Sequence, residues 1–447
     1  MGSQKLQPET LEERLIYVAI IATWVFWLAG LLYIVGAAFG YVLLAIAGGR
    51  WLGLDEDVPD VHAVPATVWV WVAGMLAMAV ALVIAHLDYE HSSAQTLKSF
   101  VGWMKGWALL AIYPLAGALL RVRPQIIARA TGILAMQTVI LAPLFLTAEI
   151  VGLPPIVYVS PVHNLIGAGP EFFDVALYGL DETTGKARWR FFAPWSTASA
   201  FIASLGLILA YQDRDRRWWI AGIASALIVS LMSGSRLSII ALPATIACVV
   251  VVSNVTRPLT WVLIAIGATG SVLLLDTVLQ TYQDATDAFN AARAASSRVR
   301  TALGHIAVHR WWTEAPVFGH GTLERGGQAV ERMLIGSHHT WWGLLFVKGA
   351  VGFAALAIPV AWSVVDLAVK AQRDRVARTG LGILLAIVLF SLADNIEVIA
   401  YLIWPSLVFI GIAFRRRCFH LYAGCLGSAR SGAGSARSAF QFQGAWR

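Results

Sequence analysis

Apolar residues along the chain gather into runs of roughly 17–25, separated by short charged stretches, a pattern of helical bilayer spans and not the alternation of a β-barrel. A hydrocarbon core about 30 Å thick asks for about 20 residues of helix, so each run is read as one span. The spans are 66–87, 99–120, 129–151, 196–212, 218–233, 237–254, 258–277, 341–364, 379–393 and 397–414, ten in all. The run 15–48 is too long for one pass and just enough for two short ones joined at a tight turn. Crossing twice gives twelve spans with both termini on one side; crossing once would move 50–65 to the other side. Two passes are preferred, because the span starting near Ala66 then begins on the side that the basic loops require.

Those loops are "RVRPQIIAR" (121–129), "DRDRR" (213–217), "KAQRDRVAR" (370–378) and "RRRC" (415–418), which alternation puts on one side. Positive loops stay in the cytoplasm, so the loops between them face outward. The polar start "MGSQKLQPETLEER" does not resemble a signal peptide. The expectation is an all-α polytopic membrane protein of about 12 transmembrane helices. Its parts are a cytoplasmic N-terminus (1–14), a transmembrane domain (15–414) and a basic, disordered cytoplasmic tail (415–447) that includes "GSARSGAGSARSAF" (427–440).

Composition agrees: 58% of residues are hydrophobic and only 13% charged, far from a soluble domain. The net charge of +7 is accounted for by topology, so no nucleic-acid partner is expected. Cys248, Cys418 and Cys425 lie in a span or on the cytoplasmic side and imply neither a disulfide nor a zinc site.

Function is expected in the two long outward loops, 152–195 and 278–340, because long loops on a rigid scaffold tend to carry binding and catalysis. The first ends in "KARWRFFAPWSTASAF" (186–201), where Lys186, Arg188 and Arg190 run against the inside rule. They are either snorkelling side chains or a cationic wall for an anionic headgroup. "LMSGSRLSII" (231–240) reads as an outward turn in which Ser235 or Ser233 caps the next helix and Arg236 sits on its N-terminus, an arrangement suited to a phosphate oxygen.

In the second loop, "DATDAFNAARAASSRVRTALGHIAVHRWW" (284–312) predicts a helix on the outer surface, with Arg293 and Arg300 on one face and Arg298 on another. The turn "TEAPVFGHGTLERGG" (313–327) follows; Pro316, Gly319 and Gly321 forbid a continuing helix. "SHHTWWGLLFVKG" (337–349) then places His338 and His339 at the head of a span. Counting eleven residues, nearly three turns, stacks Gly349 under His338 and points that histidine into the bundle. Lys348 lies deeper, within reach of Asp394 or Glu397 in "LADNIEV" (392–398). Trp311, Trp312, Trp341 and Trp342 are read as an interfacial belt, with stacking on sugars as the alternative.

The order of a loop arginine before "APW", a "GSR" turn, an arginine-bearing helix leading to P-x-x-G-x-G, and a histidine eleven residues before glycine resembles the O-antigen ligase and polymerase superfamily over roughly residues 185–365. His339 replaces a polar neighbour usual there, Lys348 stands where an acid is common, and Pro194-Trp195 stands in place of a Pro-Asn pair. The resemblance implies a GT-C-like bacterial inner-membrane glycosyltransferase, its active site facing the periplasm. It would take a glycan from a polyprenyl-diphosphate-linked oligosaccharide and give it to an acceptor hydroxyl, without cofactor or metal. His338 would be the catalytic base. Arg236 and Arg300 would stabilise the leaving diphosphate, with Arg298, Arg190 and Arg188 as alternates and His339, Lys348, Glu314 and His320 in support.

A polymerase, which would extend an O-antigen, capsule or exopolysaccharide chain, is preferred because "GSHHTWWGLLFVKG" (336–349) differs from the ligase-like pattern and resembles exopolysaccharide-cluster members; the alternative, a ligase, would use the lipid A core as acceptor. Membrane lipid and other polysaccharide-assembly proteins are the expected partners. The rival classes are a transporter or flippase for lipid-linked sugars and an inactive membrane scaffold.

Overall fold

The computed structural model describes residues 6–52 and 64–415, apart from 167, 182–184, 274, 276, 278, 282 and 285–293. Arg293 and the tail, with Cys418 and Cys425, lie outside the described residues.

The helices α1 (Leu11–Ile21), α2 (Thr23–Leu28), α3 (Leu32–Trp51), α4 (Ala66–Asp88), α5 (Ser93–Lys105), α6 (Leu109–Leu119) and α7 (Pro124–Ile150) come first. A loop region follows with β1 (Ile156–Val159), the one-turn α8 (His163–Ile166), β2 (Asp174–Ala176), β3 (Gly179–Leu180) and β4 (Ala187–Arg188). The strands make two small antiparallel pairs, β1 with β2 and β3 with β4. Then come α9 (Ser196–Ala210), α10 (Arg216–Ser233), α11 (Arg236–Val252), α12 (Pro258–Leu273), α13 (Ala294–Glu314), α14 (Thr340–Ala371), α15 (Arg375–Ser391) and α16 (Ala400–Phe414). Several starts are written in the sequence: Ser92, Asp215, Ser235 and Asp374 each accept a first-turn amide, and Pro124 opens α7.

Direct contacts sort the loops to two ends. At one, Glu12 pairs with Arg50 at 2.5 Å, Arg123 Nε donates to Glu13 at 2.8 Å and Arg415 donates to the Leu120 carbonyl at 2.9 Å. Arg129 binds Asp213 at 2.6 Å, the Gln212 amide donates to the Arg375 carbonyl at 2.8 Å, and Lys370 donates to the Phe414 carbonyl at 2.8 Å. The basic loops thus gather at a single end, as alternation requires. At the other end Gly30 packs against Ser160 and Phe173, Trp189 reaches the Met232 carbonyl, and His91 reaches the His320 carbonyl. The run 15–48 therefore doubles back at Gly30, with Glu12 and Arg50 closing its two tips.

Four helices among the described residues, α3, α4, α7 and α14, are long and apolar enough to cross a bilayer, and α9, α11, α12 and α16 are shorter apolar helices. The protein is mostly helical, with almost no sheet, which is consistent with an all-α membrane protein. The expected span 99–120 is not one helix: the chain breaks at Gly106–Ala108, leaving α5 with no buried residue at the loop end and α6 to descend toward the basic end. α6 and α16 are almost wholly enclosed by other helices. They approach closely because Gly117 lies on the Val408 carbonyl and Gly411 on that of Pro114.

The helix α14 carries a break that the even hydropathy of its sequence conceals. Gly349 has φ 62° and ψ −163°, so the ladder cannot continue through it. Across the break the carbonyls of Phe346 and Val347 accept from the amides of His320 and Gly321, both at 2.9 Å. The amides of Ala350 and Val351 donate to the carbonyls of Pro316 and Val317 at 2.9 and 3.1 Å. The P-x-x-G-x-G turn is spliced into the helix and remakes the two rungs that α14 gives up.

Gly349 and Gly319, both at positive φ, face each other's segments so closely that a Cβ on either would overlap backbone. Gly349→Ala or Gly319→Ala should lower stability by about 2 kcal/mol or more. Gly327→Ala, where a Cβ meets nothing within 4 Å, should be neutral. Thermal unfolding of the detergent-solubilised protein checks this; equal melting for all three variants would contradict the splice.

Candidate active site

Asp394 organises the loop end. Its carboxylate, 6% exposed, accepts from Trp195 Nε1 at 2.7 Å, Thr197 Oγ1 at 3.1 Å and the Asn395 amide at 2.9 Å. Its carbonyl accepts from Thr340 Oγ1 at 2.7 Å, and that hydroxyl in turn accepts from the Ile396 amide at 3.1 Å. One side chain and one hydroxyl therefore join the start of α9, the start of α14 and the loop before α16. Arg300, from α13, acts electrostatically on both Asp394 and His338.

His338 differs from the sequence expectation. α14 starts at Thr340, its cap is His339, which accepts from the Trp342 amide at 3.3 Å, and His338 stands one residue outside the helix in left-handed backbone with φ 64°. The break at Gly349 also removes the continuous helix on which the eleven-residue stacking depends. Left-handed backbone in a non-glycine residue costs about 1–3 kcal/mol and is found at sites where surroundings impose a geometry. Burial, and secondarily Arg300, pushes the His338 imidazole down to about 4, so the ring is neutral at pH 7 and able to accept a proton.

The first-loop arginines lie on the segment that leads to this hub, Arg188 at the end of β4 and Arg190 just after it. Arg190 donates through Nη2 to Asp174 and through Nη1 to the Pro194 carbonyl at 2.8 Å, while its buried Nε has no hydrogen-bond partner among the described residues. Burial pushes the Asp174 carboxyl up against the pull of Arg190. Arg188 Nε donates at 3.0 Å to the Ser233 carbonyl and Nη1 lies 3.7 Å from Asp181, fastening the first loop to the GSR turn. There Gly234 ends α10 in left-handed conformation and Ser235 caps α11, leaving Arg236 as its exposed first residue. Segment 188–195 thus connects the GSR turn, Asp174 and the Asp394 hub. Arg298 is exposed on α13.

Three support residues serve elsewhere. Fourteen residues separate Arg300 from Glu314, about 21 Å of helical rise. Glu314 is held at about 2 by Arg310 and then His320, and His320 is buried between that carboxylate at 2.8 Å and the Phe346 carbonyl at 3.0 Å. These two residues secure the splice. Lys348 is 4% exposed; it makes no ion pair with Asp394, which other donors occupy, and interacts with Glu397 without direct contact. Of the four tryptophans, Trp312 is 70% exposed, while Trp341 and Trp311 donate to Ser391 and the Pro316 carbonyl and Trp342 stacks on His339 at 3.9 Å. The belt reading thus fits Trp312 best.

Sequence reasoning passed over Asp174, Thr197 and Thr340, and met Trp195 only as a departure from a Pro-Asn pair. The polar Thr340 between histidines and tryptophans was the available signal; nothing local marks Asp174. No protein-family model and no curated protein matches the chain.

Asp174→Asn removes the charge opposite a nearly buried guanidinium and should destabilise the protein by about 3 kcal/mol. Chemical unfolding compared with wild type measures it, and an unchanged midpoint would show that Arg190 does not depend on this carboxylate.

Proposed function

We propose that this chain is a glycosyltransferase of the bacterial inner membrane, with about twelve passes and its site at the periplasmic face, that polymerises polyprenyl-diphosphate-linked oligosaccharide repeat units of O-antigen, capsule or exopolysaccharide. The observation that carries this reading is the juxtaposition at the end opposite the basic loops: a neutral histidine in strained backbone beside Arg300 and the Asp394 hub. His338 takes the proton of the acceptor hydroxyl as it attacks the anomeric carbon. The leaving diphosphate gains negative charge as the C–O bond breaks, and Arg300 and Arg236, with the capped start of α11, stabilise it in the role a divalent metal plays elsewhere. Arg190 and Arg188, bound to Asp174, Asp181 and Ser233, hold the loop beside them.

Ligation to lipid A core uses the same groups with a different acceptor. A flippase gains one specific observation, the broken α14 beside buried Lys348. That break is filled by the loop-end turn 316–321, which fixes it in place and favours a static site over alternating access.

Two measurements test the reading. In proteoliposomes supplied with lipid-linked repeat units, kcat/KM should fall on the acid side with an apparent pKa near 4, because His338 must be unprotonated and its pKa is lowered; a limb at the ordinary histidine value of about 6.5 would remove His338 as the base. In a cysteine-free background, Arg325→Cys should react with a membrane-impermeant thiol reagent applied outside intact inner membranes and Arg217→Cys should not. The reverse pattern would invert the orientation and end the proposal.

A further inference from the structure

Three polar side-chain atoms buried at the loop end have no hydrogen-bond partner among the described residues and belong to two segments that touch: Trp103 Nε1, Asn395 Oδ1 and Glu397 Oε2. The segments meet at Gly106, whose amide bonds the Trp103 carbonyl at 3.3 Å and where a Cβ would lie 2.9 Å from the Glu397 carbonyl oxygen and 3.4 Å from its Cβ. Asn395 Nδ2 reaches Glu397 Oε1 at 3.4 Å, so the amide and the carboxylate are already aligned with each other. Each such orphan is costly to bury unless something satisfies it.

The donor set narrows what that is. Neither the Asn395 oxygen nor the Glu397 carboxyl, which burial raises to about 7, attracts a phosphate, and nearby Lys348 disfavours a cation. An acyl chain satisfies no polar atom. A sugar hydroxyl both donates and accepts, and neighbouring hydroxyls on one ring match two acceptors and one donor, with indole as an apolar wall. Trp103 stacks with Phe100 at 5.2 Å, which steadies that wall.

The loop that bears Asn395 and Glu397 also bears Asp394, tied to Thr340 and acted on by Arg300, as is His338. We infer that the seam between Trp103–Gly106 and Asn395–Glu397 is a pyranose-binding subsite that holds the acceptor sugar beside His338; its assignment to the acceptor rests on the glycosyltransferase reading. Trp103, Asn395 and Glu397 then select the acceptor by its hydroxyl pattern, while the arginines bind the donor's diphosphate.

The test uses the full chain in nanodiscs and, as probe, the repeat-unit oligosaccharide released by mild acid from the carrier lipid of cells lacking this chain, labelled at its reducing end. Fluorescence anisotropy should show binding to wild type and to Arg217→Ala, weakened about ten-fold by Glu397→Gln and by Asn395→Ala. Trp103→Phe, which deletes one N–H, should weaken it less, and it carries the test with Asn395→Ala if the Glu397 variant does not fold. No binding to wild type, or equal binding to all variants, would mean that the orphans hold water alone and would overturn the subsite. Transfer activity without binding overturns the subsite and leaves the glycosyltransferase reading standing. Binding lost in the variants, with no transfer by wild type, leaves a sugar site and ends that reading.

Discussion

Everything at the loop end depends on a backbone exchange at Gly349. α14 gives up two of its own hydrogen bonds and makes four to the turn 316–321. In a setting where unpaired amides and carbonyls have little water to turn to, such a break survives only when all four groups are met. The turn meets them only because Gly319 and Gly321 adopt positive φ and Gly319 carries no Cβ to strike Lys348. α13 is thereby anchored at its Glu314 end, which positions Arg300 at the other.

The second constraint is Asp394. A buried carboxylate with three donors fixes the start of α9, while its own carbonyl takes the hydroxyl of Thr340. His338 stands two residues before Thr340, and Arg190 a few residues before Trp195, so both candidate groups are set from one point. His338 enters this fastened segment in left-handed backbone, with φ 64°. A base that must keep its direction toward a hydroxyl gains from such rigidity.

The helical class, the alternation of the basic loops and the cap at Ser235 were legible because periodicity, charge and capping are local properties. The doubling back of 15–48 was legible from length, and Gly30 makes it. The break at Gly349 was not, since an apolar stretch with one lysine and glycine reads as continuous helix and the compensating carbonyls lie about thirty residues upstream. His338 reads as the head of the same span, but the helix starts at Thr340 because the His339 side chain caps it. The partners of Arg190 and Asp394 were beyond reach as well, because Asp174 and Trp195 become neighbours of these groups only through tertiary packing. Glu314 and His320 carry the right chemistry by type, but their geometry commits them to the splice.

The most direct test of the central claim is glycan chain length in cells lacking this chain, rescued by wild type, His338→Ala or Arg236→Ala at equal membrane levels. Long chains are expected with wild type, and single repeat units left on the carrier with both variants. Long chains that accumulate on the carrier would point to ligation, and normal polymer with both variants would contradict catalysis at this site.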